Sequence, residues 1–210
     1  EELENELEIE QRNIEEDQER REKLASRVDQ RESELEDAEE KLDELIDEAQ
    51  ETANELDRTD QFSEQTVSRD TIDELRNEWV DERLEQERSK ESDLEGKIQK
   101  FSERVDNTKD EIKELQNLAD EDRCPRCEQP IDEDHVDEEL EYLQSKRDHA
   151  KQNRESAVAE QNTVESHIRI LEKFREKLKE AIQHREETVD PLGSECQDAE
   201  ADLEDVDEEI

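Results

Sequence analysis

An apolar residue recurs every seven positions along most of the chain, and this period constrains the fold more than any other feature. In the first stretch, the a positions of the heptad are Leu7, Ile14, Arg21, Val28, Leu35, Leu42, Ala49 and Leu56. A second stretch has its a positions at Leu84, Glu91, Ile98, Val105, Ile112 and Ala119, and a third runs from Leu140 to Ile210. A seven-residue period kept this long predicts helices that wind around a partner helix in a left-handed coiled coil.

The composition supports this interpretation and excludes most others. Only 27% of the residues are hydrophobic, 49% are charged, and there are 2 glycines. An ordinary globular domain uses about 45–50% apolar residues, whereas a coiled-coil stripe needs about two in seven. A disordered polyanion would share this composition, but disorder does not keep a constant heptad phase. We therefore expect an all-α fold with no catalytic residues, and no membrane span, because no long apolar run is present.

The chain is expected to consist of two helical arms joined by a short turn. Two prolines, Pro125 and Pro130, interrupt the helical pattern and force a turn there. Because a short turn makes consecutive helices antiparallel neighbours, the sequence predicts a long antiparallel coiled-coil hairpin. The expected parts are a first arm at 1–122 with a break or insertion near 57–79, a turn at 123–131, and a second arm at 132–210 with a kink near 190–193.

The breaks in the two arms are predicted to lie opposite each other, at the same distance from the turn. If the turn is centred between Cys124 and Cys127, Pro191 faces residue 60, so the breaks form a joint in the rod. Coincidence or a local loop-out is the alternative. The first arm is also about 40 residues longer than the second; either its beginning overhangs or residues near 57–79 bulge out.

Cys124-Pro125-Arg126-Cys127 is the one motif that carries chemistry. Two thiolates at this spacing can hold one metal ion, and a structural zinc site requires four tetrahedral ligands. Cys196 lies on the stripe far from the turn and is predicted to be a core residue, and His135 is predicted to face solvent. A second copy of the turn would complete a four-thiolate site, so two hairpins are expected to dimerise tip to tip.

Other interpretations of the cysteine pair remain open. A redox pair would normally follow a strand in a βαβ unit, and none is predicted here. An intrachain disulfide at the tip would make the chain a generic coiled-coil scaffold without metal. The three remaining histidines are predicted to lie on helix surfaces: His149, His167 and His184.

The turn resembles the zinc-hook apex of the SMC-like ATPases of DNA double-strand-break repair, the "Rad fifty" subunits that partner the Mre nuclease. The cysteine motif and the following stretch from Gln129 to His135 carry this resemblance, with Glu128 where the family usually has glycine. It implies that Cys124 and Cys127 bind one structural Zn²⁺ per two chains and that His135 is not a ligand. It also implies that ATP and Mg²⁺ bind in ABC-type heads outside this sequence, which act with the nuclease on DNA. The implied location is cytoplasmic and nucleoid-associated.

The net charge of -43 bears on partners and source. Nucleic-acid binding needs Lys and Arg to neutralise phosphates, so we expect no direct binding of DNA by this segment. The only glycines, Gly96 and Gly193, lie too far apart for a G-x-x-x-x-G-K-[ST] loop, so we expect no ATPase site in this sequence. Acidity spread over both arms favours a halophilic archaeal source, where molar salt screens the repulsion.

Overall fold

A computed structural model describes residues 2–57, 66–119 and 133–209 of the protein. Within these residues every regular element is a helix and no strand occurs, which confirms the predicted all-α class. The α-helices are α1 (Glu2–Asp57), α2 (Ile72–Glu74), α3 (Val80–Ala119), α4 (Glu133–His184) and α5 (Asp190–Glu209). Two π-helical turns, Leu75–Trp79 and Arg185–Val189, join α2 to α3 and α4 to α5.

The chain divides into two compact units. Unit 1 contains Glu1–Val80 and Glu172–Ile210, and unit 2 contains Asp81–Leu171. None of the helices in the described ranges combines the length and the apolar character that a bilayer span requires.

In unit 1, α1 packs antiparallel to α5 and to the last part of α4. Near the start of this packing, Arg21 pairs with Asp207. Further along α1, Glu48 accepts a hydrogen bond from Lys177 Nζ at 2.8 Å. Partner numbers fall as residue numbers rise along α1, which defines the antiparallel direction.

A short non-helical segment, Thr66 to Thr71, lies against α1 before the chain turns into α2. The Val67 amide donates to Gln50 Oε1 at 2.7 Å, and Arg69 Nε donates to Asp43 Oδ1 at 2.9 Å. The Thr71 hydroxyl accepts the Ser68 amide at 2.9 Å, which fixes the turn locally. Hydroxyl side chains favour such turns because they can replace backbone hydrogen bonds.

A third helical segment, residues 72–80, therefore packs beside the other two in unit 1. Trp79 meets Phe174 edge to face, with ring centroids 6.2 Å apart and an interplanar angle of 82°. Phe174 is fully buried, and burying such a side chain contributes about 2–3 kcal/mol. Ile46 and Ala53 of α1 are also buried, although they lie outside the a/d stripe.

Pro191 lies inside a helix, one residue into α5 and directly after a π-helical turn. The Asp190 amide bonds the Arg185 carbonyl, the i to i−5 bond that defines this wider turn. A proline ring clashes with the preceding turn of a regular α-helix, and the wider turn relieves that clash. Residue 60, which we predicted to face Pro191, lies outside the described residues. Asp190 shares a groove with Leu35 and Glu39 of α1.

In unit 2, α3 packs antiparallel to α4. Its core contains Leu94, Ala157 and Val164, with Ile98 and Ile168 packed against them. Further along α3, Glu111 accepts a hydrogen bond from Lys146 at 3.5 Å. Most stripe positions of α3 are buried or half-buried, so the heptad face forms the contact between the two helices.

Candidate metal and polar sites

The predicted metal ligands, Cys124 and Cys127, lie outside the described residues, as does the whole turn at 123–131. The described chain stops at Ala119, the end of α3, and resumes at Glu133, the start of α4. The backbone of His135 is in the first turn of α4, and its side chain is also outside the described part of the structure. The cysteine pair thus lies between the ends of two long helices.

Cys196, the third cysteine, is a buried free thiol of unit 1. Burial raises the pKa of the Cys196 thiol above its ordinary value, and the nearby carboxylates of Glu200 and Glu32 raise it further. Because the thiolate is the reactive and metal-binding form, this environment makes Cys196 a poor ligand and a poor nucleophile. The prediction that Cys196 is a small core residue is confirmed.

No group of three or more His, Cys, Asp or Glu side chains that could hold a metal ion occurs within residues 2–57, 66–119 and 133–209. The many carboxylates of α1, α3 and α4 mostly point to solvent. The cysteine pair remains the metal-site candidate.

The core of unit 2 contains a polar pair, Glu87 and His167, and the sequence predicted an inward position for Glu87 alone. Glu87 is 3% exposed and His167 is 9% exposed, and Nδ1 of the imidazole lies 3.5 Å from Oε2 of the carboxylate. Lys90 Nζ also donates to Glu87 Oε1 at 2.5 Å. The sequence placed Glu87 on the stripe, but the prediction that His167 lies on a helix surface is wrong.

The pairing explains why these polar side chains are tolerated in the core. A buried carboxylate without a partner is costly, and a cation or imidazole beside it offsets that cost. The available sequence signal was the position of His167, seven residues before Phe174 and next to the stripe residue Ile168. His184 also departs from the surface prediction, because it is half-buried and its Nε2 lies 2.9 Å from the Ala38 carbonyl oxygen.

Comparisons with models of protein families, with curated proteins and with solved structures found no match to this chain.

Proposed function

We propose that this segment is a zinc-mediated tether in which two copies join through the thiolates of Cys124 and Cys127. The observation that carries the proposal is the position of a C-x-x-C pair between Ala119 and Glu133, where two long helices end and begin. In unit 2 these helices pack antiparallel, which supports a coiled-coil hairpin with the cysteines at its tip. Each half of the dimer then contributes one hairpin.

The donor set fits structural zinc. Two thiolates from each of two chains supply the four soft ligands of a closed tetrahedral site. Bound zinc supplies a cross-link and keeps no open position for catalysis. Because thiols must lose their protons to bind, zinc binding is expected to weaken on acidification.

The wider role follows from the resemblance of the turn to the zinc hook. Two tethered copies would link the arms of a DNA-repair ATPase, with ATP, Mg²⁺, the Mre-type nuclease and DNA bound by other parts of the protein. The acidic surface of this segment keeps DNA away from most of its length. The proposed site of action is the cytoplasm, at the nucleoid.

The proposal predicts that the dimer depends on the turn. Cys124→Ser or Cys127→Ser should give monomers by sedimentation velocity, with the circular dichroism helix signal unchanged. Cys196→Ala is the matched control, because it removes a thiol from the core of unit 1, and it should remain dimeric. Serine variants that dimerise as well as the parent would contradict the proposal.

The alternative function is a coiled-coil scaffold whose cysteine pair forms a disulfide or a redox couple. One observation favours this alternative: Cys124 and Cys127 belong to the same chain, so a disulfide between them needs no second copy. A chelator added in the presence of a thiol reductant separates the two functions. The zinc tether dissociates under these conditions, whereas the scaffold keeps its oligomeric state.

The acidic composition is proposed to be an adaptation to molar salt, as in halophilic archaea. Screening of 73 acidic side chains should then strengthen the helices as salt rises. Circular dichroism between about 10 mM and about 3 M KCl measures this, since the Debye length shortens severalfold across that range. A helix signal that is equally strong throughout would contradict the adaptation.

A further inference from the structure

Unit 2 contains a band of basic residues on an otherwise acidic chain. The band consists of residues 97–113 of α3 and 141–157 of α4, which meet where Lys146 reaches Glu111. It holds nine Lys and Arg against seven Asp and Glu, so its formal charge is +2 in a chain whose formal charge is -43. Positive charge is therefore concentrated in one short part of the molecule.

Most basic side chains of this band have no acidic partner within the described residues. Three of the nine form ion pairs, namely Lys113, Lys146 and Arg147. The six that lack an acidic partner in the described part of the chain are Lys97, Lys100, Arg104, Lys109, Lys151 and Arg154. Unit 1 differs, because several of its basic side chains form ion pairs with carboxylates, among them Arg31, Lys177 and Arg185.

A groove of about 470 Å³ opens between the two helices of the band. Its polar walls are formed by Arg104, Asn107, Glu111, Lys146, His149 and Asn153. Its floor is formed by the buried residues Thr108 and Ala150. Both helices thus supply cations and amide donors to one concave surface.

We propose that this groove binds a small anion that bears phosphate groups. A guanidinium presents a planar set of donors that matches two phosphate oxygens, and lysine adds a point charge. Arg104 is available for this role, because the contact found for it in the described residues is with the Phe101 ring, 5.9 Å from the guanidinium carbon. Asn107 and Asn153 supply neutral amide donors.

Glu111 opposes the ligand, since its carboxylate lies in the same groove and pairs with Lys146 at 3.5 Å. An incoming phosphate group competes with this carboxylate for the lysine. Removal of the Glu111 charge should therefore strengthen binding, whereas removal of Arg104 should weaken it. Both effects on the binding affinity follow from the positions of Glu111 and Arg104 in the same groove.

The surrounding charge favours a small ligand over a nucleic acid. The band is about 25 Å long, at about 1.5 Å per residue. A small anion in the groove contacts the local cations directly, and salt screens it from the acidic flanks, which lie further away. A longer duplex would extend over those flanks, where the remaining net negative charge of the chain repels it.

The test uses the full chain at the lowest KCl concentration that gives a full helix signal, with inorganic triphosphate as the probe. Titration calorimetry should show saturable binding that is tighter than binding of sulfate at matched ionic strength. Arg104→Gln should weaken binding about tenfold, as expected for the loss of a charge-assisted contact. Glu111→Gln should strengthen it. Lys97→Gln, which removes a charge of the band outside the groove, is the matched control and should change it less than about twofold.

Three results would overturn the proposal. Triphosphate could bind no more tightly than sulfate, which would show a non-specific ionic atmosphere. Arg104→Gln and Lys97→Gln could weaken binding equally, which would place the effect outside the groove. A labelled duplex of about 30 base pairs could bind more tightly than triphosphate, which would make the band a nucleic-acid surface.

Discussion

Arg185 holds Asp73 through two hydrogen bonds, with Nη1 and Nη2 at 2.7 and 3.2 Å from the two carboxylate oxygens. The preceding residue, His184, contacts the Ala38 carbonyl oxygen of α1. Two adjacent residues of the second arm therefore reach two separate segments of the first. Unit 1 therefore contains three helical segments side by side near residues 184 and 185. The third of these is residues 72–80, and the ion pair of Arg185 with Asp73 anchors it.

The Arg185–Asp73 pair should stabilise unit 1 measurably, because the guanidinium is half-buried and the contact is bidentate. A double-mutant cycle with Asp73→Asn and Arg185→Gln is expected to give a coupling of about 1 kcal/mol, at the upper end for such pairs. Urea denaturation of the full chain measures it. The exposed pair Lys41–Glu44 is the control, and its coupling should be smaller than that of Arg185–Asp73, because solvent screens both side chains. Equal couplings would show that the third segment is not anchored by Arg185.

The Glu87–His167 pair should be a source of specificity rather than of stability. His167→Leu alone is expected to destabilise the chain by about 1–3 kcal/mol, because Oε2 of Glu87 loses the imidazole beside it, whereas Oε1 keeps Lys90. The double variant Glu87→Leu with His167→Leu should be as stable as the parent or more stable, since apolar side chains fill the core without desolvated charge.

Thermal and urea unfolding of both variants test this expectation. Thr108→Val is the control, because Thr108 is a buried polar residue of the same unit that carries no charge, and it should change the free energy of unfolding less than His167→Leu does. A double variant that is less stable than His167→Leu would mean that the polar pair stabilises the fold in its own right.

The two glycines lie inside helices with open space around them. A Cβ atom added at Gly96 or Gly193 would meet nothing within 4 Å, and neither residue has a positive φ. Gly96→Ala and Gly193→Ala are each expected to raise the free energy of unfolding by about 1 kcal/mol, the difference in helix propensity. The melting temperature of each variant measures this effect. Gly96 lies in unit 2 and Gly193 in unit 1, so each variant is the control for the other. A loss of stability at Gly193 would show that the helix after Pro191 needs the freedom of glycine.

The Lys177–Glu48 pair predicts a pH dependence. The hydrogen bond from Lys177 lowers the pKa of Glu48, and hydrogen bonds to Glu48 and then Glu180 raise the pKa of Lys177. The contribution of Glu48 is therefore present above its unfolded-state pKa, about 4.3, and is lost as the pH falls through the lower folded value. That of Lys177 is present below its unfolded-state pKa, about 10.4, and is lost as the pH rises through the higher folded value.

A double-mutant cycle with Glu48→Gln and Lys177→Gln, measured from pH 2 to pH 8, tests this dependence. The coupling should stay constant from about pH 6 to pH 8 and vanish in acid, once Glu48 is protonated. A coupling that persists at pH 2 would mean that packing, rather than charge, joins the two side chains.

The heptad pattern predicted the helical class and most of the inward-facing residues of unit 2. Leu94, Val105 and Ile112 lie on the stripe and are buried, because one partner helix covers one face of α3. The pattern did not predict buried residues off the stripe, such as Ile46 and Phe174. Phe174 packs against Trp79, which belongs to the segment after Thr71, and a seven-residue period does not encode this contact.

The heptad pattern also fails to predict burial at the start of α1. Leu7 and Ile14 continue the stripe but are 57% and 51% exposed, because no other part of the described chain covers them. The metal site was predicted from the spacing of Cys124 and Cys127 and from the prolines around them. Both cysteines lie outside the described residues. The proposed zinc tether rests on the chemistry of the two thiols.

The ratio of zinc to protein, measured by elemental analysis together with the mass from light scattering, tests the central claim most directly. The tether predicts one zinc ion per two chains in a particle of twice the chain mass of 25.0 kDa. A particle of one chain mass that retains zinc, or a dimer that contains none, would contradict it.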